Sequence, residues 1–211
     1  MKRKLIRTHF IKTSDKLEDV VSKYVLPEIK KGDIVIFAEK IIAIMQNRVV
    51  YKKDIKVGFF ANFLSKFATK TPAGFSVGNP LKMQVAINLA GLPRILLASF
   101  VGGLAKLIGV RGLFYVIADH QISQIDGFYG EAFPEYADMG ILGPKNPKKI
   151  CNNLKKKFNF SCAIVDANDL GRVVLGISDD IENKKKIVLD AIKDNPAGQG
   201  AQMTPIIILY V

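Results

Sequence analysis

The chain has 211 residues, 49% of them hydrophobic, enough to bury a sizeable core as one large domain or two small interdependent ones, and too apolar for a disordered chain. Lys and Arg number 31 against 19 Asp and Glu, a formal charge of +12, which favours an anionic partner: nucleic acid, a phosphorylated small molecule or an acidic membrane surface. Two cysteines outside any CxxC pair and two histidines argue against a disulfide framework and a Cys/His zinc site.

The basic N-terminus, "MKRKLIRTHF", is followed by no apolar stretch, so it does not read as a signal peptide and a cytoplasmic protein is expected. Asp15, with Glu18 three residues on, is expected to cap a helix whose Leu17, Val20, Val21, Tyr24 and Val25 share one face. That helix stops near Pro27. "GDIVIFA" then turns at Gly32 and Asp33 into a strand, 34–38, apolar throughout and so buried on both sides. "EKIIAIMQ" reads as a helix and "RVV" as a short strand. Residues 59–68 and 81–90 look helical, separated by the Gly- and Pro-rich loop "TKTPAGFSVGNP".

From Leu92 to Gly109 the chain is apolar, with glycines at 102, 103 and 109. "GGLAK" lacks the spacing and the GK[ST] ending of a phosphate loop, so a packed helix with small residues at a close contact is expected. Its uncharged run from Ile95 to Ala105, interrupted on either side by Arg94 and Lys106, is too short to span a bilayer, and no membrane partner is expected. A strand over 113–118 and an irregular segment, "QIDGFYGEAFPEYADMGILGPKNP", come next. Pro147 opens a basic amphipathic helix to about Phe158. "SCAIVDANDLGRVVLGIS" reads as strand, acidic turn and strand, a helix follows over roughly 181–193, and "DNPAGQGAQMTPIIILYV" ends the chain as a loop and a buried strand. The fold class is α+β, with 1–211 as a single unit or two subregions, 1–110 with 170–211 and 111–169. The lysine clusters at 30, 52, 148, 155 and 184 fall among the expected helices and read as solvated faces. No aromatic-rich basic strand accompanies them, which disfavours nucleic acid.

No Ser/His/Asp or Cys/His set is present, and His9 and His120 stand outside any motif. Chemistry is therefore sought among carboxylates near turns: Asp126 in "QIDG", Asp138 in "YADMG", and Asp166 with Asp169 in "VDANDLG". Carboxylates just past a buried strand can hold a hard cation such as Mg²⁺ or Mn²⁺, which often binds a phosphate. Asp and Asn are equally ordinary turn formers, and Asp138 is assigned to that role.

Four segments carry a likeness to a known family: "FIKTSDKLEDVV", "GDIVIFAEKIIAIMQNRVV", "LGPKNPKKICNNLKKKFNFSCAIVDANDLGR" and "GQGAQMTPIIIL". In this order they resemble the coenzyme F-420 gamma-glutamyl ligases, enzymes that join L-glutamate to a deazaflavin precursor using GTP. The resemblance implies that family's fold, an intertwined homodimer, a guanine nucleotide and divalent metal. It places metal ligands at Asp126 and Gln199 and at Asp166, with an alignment anchored on Leu170-Gly171-Arg172 favouring Asn168 or Asp169 instead. Glu39 and Lys40 fall where the family's nucleotide-contacting pair lies. The loop Ala197, Gly198, Gln199, Gly200, Ala201, Gln202, Met203 and Thr204 falls where the family covers the nucleotide. Lys40 and Arg172 would stabilise the transferring phosphoryl group. The continuation "DGFYGEAFPEY" after Asp126 departs from the family pattern, which implies a divergent member with an acceptor of its own.

The resemblance thus implies an anionic acceptor activated as an acyl phosphate and joined to an amino acid. Two other classes remain open. A protein of the same fold that binds a nucleotide or metabolite would show binding without turnover, and a basic nucleic-acid-associated protein would show binding that falls steeply with salt.

Overall fold

Five consecutive apolar residues, Ile34–Ala38, form the strand at the centre of the larger sheet. The structure, a computed structural model, describes residues 2–68, 77–110, 112–128, 134–168, 171–198 and 202–210. The chain is α+β and divides into two units, Met1–Arg48 with Pro144–Val211, and Val49–Gly143, where the sequence suggested borders near 110 and 170.

In the first unit the strands β1 (Arg3–Ile6), β2 (Ile34–Ala38), β6 (Ser161–Asn168), β7 (Gly171–Ile177) and β8 (Ile206–Leu209) form a sheet in the order β1-β8-β2-β6-β7. β2 and β6 pair parallel, and the pairs β1–β8, β8–β2 and β6–β7 are antiparallel. The central strands are buried on both faces, which is why they read as unbroken apolar runs rather than alternations. One face, with Ile34, Ile36, Ala163, Val165, Ile207 and Leu209, packs with Val188 and Ala191 of helix α9 (Lys185–Ala191). Helix α8 (Pro147–Phe158) buries Cys151 and Leu154 and packs on β6 and β7. Helix α8 starts and stops as its sequence predicts, with Pro147 in the first turn and Asn159 left-handed at its end. Its lysines are solvated as expected: Lys148 pairs with Asp179 and Glu182, and Lys155 with Asp180.

Helix α1 (Leu17–Val20) runs on as one π-helical turn to Val25, burying Val20, Val21 and Val25. Asp15 does not cap it. The Asp15 carboxylate accepts hydrogen bonds from the Lys12 backbone N–H and faces His9 Nε2, whose ring also meets the Tyr24 hydroxyl. Burial pushes that carboxyl up, and the hydrogen bonds from Lys12 and His9 outweigh it, leaving its pKa below the usual value. Helix α2 (Glu39–Met45) follows β2 directly. The expected helix over 181–193 is an irregular 3-10 segment, Asp179–Lys184, followed by α9.

In the second unit β3 (Val49–Tyr51), β4 (Asp126–Gly127) and β5 (Met139–Ile141) form a small antiparallel sheet in the order β3-β5-β4. Helices α3 (Phe59–Ser65), α4 (Pro80–Ala90), α5 (Leu92–Leu107), α6 (Leu113–Ala118) and α7 (His120–Ser123) complete it. Its core gathers Ile55, Met83, Val85, Ile95, Ile122 and Leu142. The expected strand over 113–118 is α6, a correction with a local cause. "LFYVIA" is unbroken apolar sequence that fits either state, and Gly112 (φ 87°) starts it as a helix that packs on α5. The expected small-residue contact in α5 is there: a Cβ on Gly102 would lie 3.1 Å from Phe114 Cβ. The loop expected between α3 and α4 lies largely outside the described residues. Among the described residues no single helix is long and apolar enough to cross a membrane.

Candidate functional site

Parallel pairing sets β2 and β6 so that Ala38 lies opposite Val165. The residues that follow, Glu39 and Lys40 in the first turn of α2 and Asp166 in β6, therefore reach the same end of the sheet. β8 runs the opposite way and starts there, with Ile206 opposite Phe37, and the Ala38 N–H donates to the Pro205 carbonyl at 2.9 Å. Arg172, opposite Ala167 at the start of β7, belongs to that end too. Three segments far apart in sequence, 38–40, the β6–β7 hairpin and the start of β8, thus meet beyond the carboxyl ends of the two parallel strands, where ligand crevices of parallel sheets lie.

Sequence reading set Asp166 in an acidic turn; it lies instead within β6, paired with Val173. Side chains alternate along a strand, so Asp166 shares the face of Ile164 and, through the registers, of Phe37 and Ile206. That is the face opposite α9. One extra residue in β7 shifts the register between Ile164 and Val165, a bulge that bends the hairpin carrying Asp166 and Arg172. Asp166, Glu39 and Lys40 are each half-buried, while Arg172 is exposed and donates through Nη1 to the Lys193 carbonyl at 3.5 Å.

The loop before β8 is closed on itself. The Thr204 hydroxyl donates to the Ala197 carbonyl at 3.0 Å, and the Gly198 N–H donates to the Asn195 carbonyl at 3.0 Å. Gly198 has φ 73°, and a Cβ there would sit 2.7 Å from Gln202 Cδ, so the Gln202 side chain lies directly over it. The Met203 carbonyl accepts from the Thr8 N–H at 2.9 Å, tying the loop to the segment after β1. Sequence reading missed Thr8. Its only signal was its place just past a strand, and its pairing with Met203 depends on β1 lying beside β8. Arg3 anchors the chain leading into the loop, donating to the Ala191 carbonyl at 2.6 Å and to Asp194 at 2.8 Å. The hydrogen bond from Arg3 lowers the pKa of the Asp194 carboxyl to about 2. Asp169, Gln199, Gly200 and Ala201, which the sequence also singled out, lie outside the described residues.

Asp126 belongs to the other unit, on β4 opposite Ile141. Its Oδ1 accepts from the Gly127 N–H at 2.8 Å. Gly127 has φ 92°, and a Cβ there would lie 2.2 Å from the Met139 carbonyl oxygen, so only glycine suits the position.

No group of three or more His, Cys, Asp or Glu side chains placed to hold a metal occurs among the described residues. Mg²⁺ is commonly held by one or two carboxylates, with phosphate oxygens and water completing its shell. A half-buried carboxylate such as Asp166 fits that use.

The sequence profile of the F420-0:gamma-glutamyl ligases matches residues 5–167, more than half of the chain. The chain belongs to the F420-0:gamma-glutamyl ligase family. The matched residues include Glu39, Lys40, Asp126 and Asp166 and stop before Arg172 and the loop 197–204. No curated protein matches the chain.

Proposed function

We propose that this member of the gamma-glutamyl ligase family is a GTP-dependent amide ligase. It would join L-glutamate, or another amino acid, to an anionic acceptor bearing a carboxylate and phosphate, such as the F-420 precursor. The observation that carries this reading is the meeting of Glu39, Lys40, Asp166, Arg172 and the closed loop up to Pro205 at one end of the five-stranded sheet. Family membership supplies the reaction class.

The acceptor carboxylate attacks the γ-phosphorus of GTP, and GDP leaves. The amine of glutamate then attacks the acyl phosphate carbon, inorganic phosphate leaves, and the amine gives up a proton. Lys40 and Arg172 place positive charge on the phosphoryl oxygens as charge builds there, and Lys40, half-buried, does so with less water to screen it. The loop 197–204 covers the nucleotide, its glycines letting backbone N–H groups approach phosphate. A bound Mg²⁺ or Mn²⁺, with Asp166 as ligand, would neutralise the phosphates. Asp169 and Gln199 are proposed as further ligands, and Asp126 as a metal ligand by its motif alone. The fold of the unit is proposed to be that of the ligase family, and the protein a homodimer.

Calorimetric titration with GTP and with ATP, each with and without Mn²⁺, tests the reading. Metal-dependent binding of GTP is expected, weakened at least about tenfold in Lys40→Ala, the effect of losing a charge-assisted contact, and reduced in Gln199→Ala. Absence of nucleotide binding under every condition would overturn it. The stretch "DGFYGEAFPEY" after Asp126, which departs from the family pattern, favours a second reading, a non-catalytic nucleotide- or metabolite-binding protein of this fold. Binding of GTP without phosphate release in the presence of glutamate and acceptor would select that one.

A further inference from the structure

Helix α5 (Leu92–Leu107) packs Ile95, Ala98 and Ala105 inward, yet its opposite side is apolar too. Leu97 (56% exposed), Phe100 (68%), Leu104 (51%) and Leu107 (83%) face water, with Leu96 beside them and Ile108 just beyond the helix end. At 3.6 residues per turn these side chains fall within an arc of about 120° that includes Phe100. Arg94 and Lys106 fall about 120° to either side of Phe100, bracketing the arc with one cation on each flank. Both are exposed, and Arg94 Nε donates to the Ile117 carbonyl at 2.7 Å.

Charge in the surrounding sequence has one sign. From Ile55 to Ala118 the chain contains seven Lys or Arg and no Asp or Glu. Cations without acids beside an apolar face complement an anionic surface. An exposed apolar stripe flanked by cations is what a helix lying in the headgroup region of an anionic bilayer requires: leucine and phenylalanine enter the acyl boundary while Lys and Arg reach phosphate. Helices α4 and α5 together have the length and composition of a span but are bent apart by 117°, and α4 buries Met83, Val85 and Ala86 in its own unit. Lying on the surface is the arrangement that leaves this packing intact.

We propose that the exposed face of α5 docks on an anionic membrane surface, making this protein a peripheral membrane protein. The proposal stands apart from the ligase reading, since none of these residues belongs to the candidate site.

Co-sedimentation of the full chain with phosphatidylcholine vesicles, with and without phosphatidylglycerol, tests it. Comparison is made with Phe100→Ser/Leu104→Ser, which leaves the net charge unchanged, and light scattering reports the oligomeric state. The expected result is binding to the phosphatidylglycerol vesicles that falls with added salt and weakens at least about tenfold in the double variant, as the loss of two large apolar contacts requires. Thermal unfolding of the variant should match the parent, because both positions are exposed. Three results would overturn the proposal: no binding to either vesicle, binding that the double variant retains in full, or a change of oligomeric state in the variant without any vesicle binding. The second would mean that net charge alone drives association; the third would assign the face to a second copy of the chain.

Discussion

Asp194 ties the approach to the closed loop through a single ion pair whose behaviour with pH follows from its environment. Held by Arg3, its carboxyl has a pKa of about 2 in the folded chain against an ordinary 3.8. A group whose folded pKa is lowered contributes stability above its unfolded value and loses it as pH falls through the folded one. The contribution is therefore present well above pH 4 and is lost progressively as pH falls through about 2. Asp194→Asn should be less stable than the parent in urea unfolding at neutral pH, and the gap should close on acidification through that window. Asp15 too is governed by the neighbours that the fold brings to it. An Asp followed three residues later by Glu matches a capping box, but the carboxylate accepts from the Lys12 N–H and meets His9. Sequence spacing names groups able to bond; it does not choose among neighbours brought by the fold.

Between elements, contacts are decided by the absence of a side chain as much as by its presence. A Cβ on Gly176 of β7 would lie 2.4 Å from the Pro147 carbonyl carbon and 2.5 Å from the Lys148 nitrogen. These are backbone atoms at the start of α8, and they cannot swing aside. Gly176→Ala is expected to destabilise the fold by about 1–3 kcal/mol through forced separation of helix and strand, read as a lower urea midpoint with the slope unchanged. The elements themselves were legible where their signals were strong: β2 from its doubly buried apolar run, α8 from Pro147 to its basic end, α5 from its length. Residues 113–118 were not. Six apolar residues carry no period, and their helix forms beside Gly102, a neighbour that no local pattern identifies. The strand β6 likewise runs past the point where Asp166 suggested a turn, because β7 pairs with it as far as Asn168.

Exposed aromatic side chains bear on how many chains act together. Phe59 (75% exposed), Phe60, Phe63 and Phe67 stand out from α3 and the turn after it, with the rings of Phe59 and Phe63 stacked at 6.0 Å. Exposed aromatic clusters of this kind favour association. If the proposed homodimer uses this face, light scattering should give twice the chain mass for the parent and a shift toward the single-chain mass for Phe63→Ser, with unfolding temperature little changed. An unchanged mass in the variant would remove α3 from the interface. The sequence alone determined the α+β class, most elements, the family and the segments that carry its motifs, because hydrophobic periodicity, helix-opening prolines and motif spacing are local properties. Only the tertiary structure decided that Glu39, Lys40, Asp166, Arg172 and the closed loop share one end of a sheet, and that one face of α5 is left open to solvent. Strand order and register join residues more than 160 positions apart, as Ala38 joins Pro205, and an apolar residue looks the same in sequence whether the fold covers it or leaves it bare.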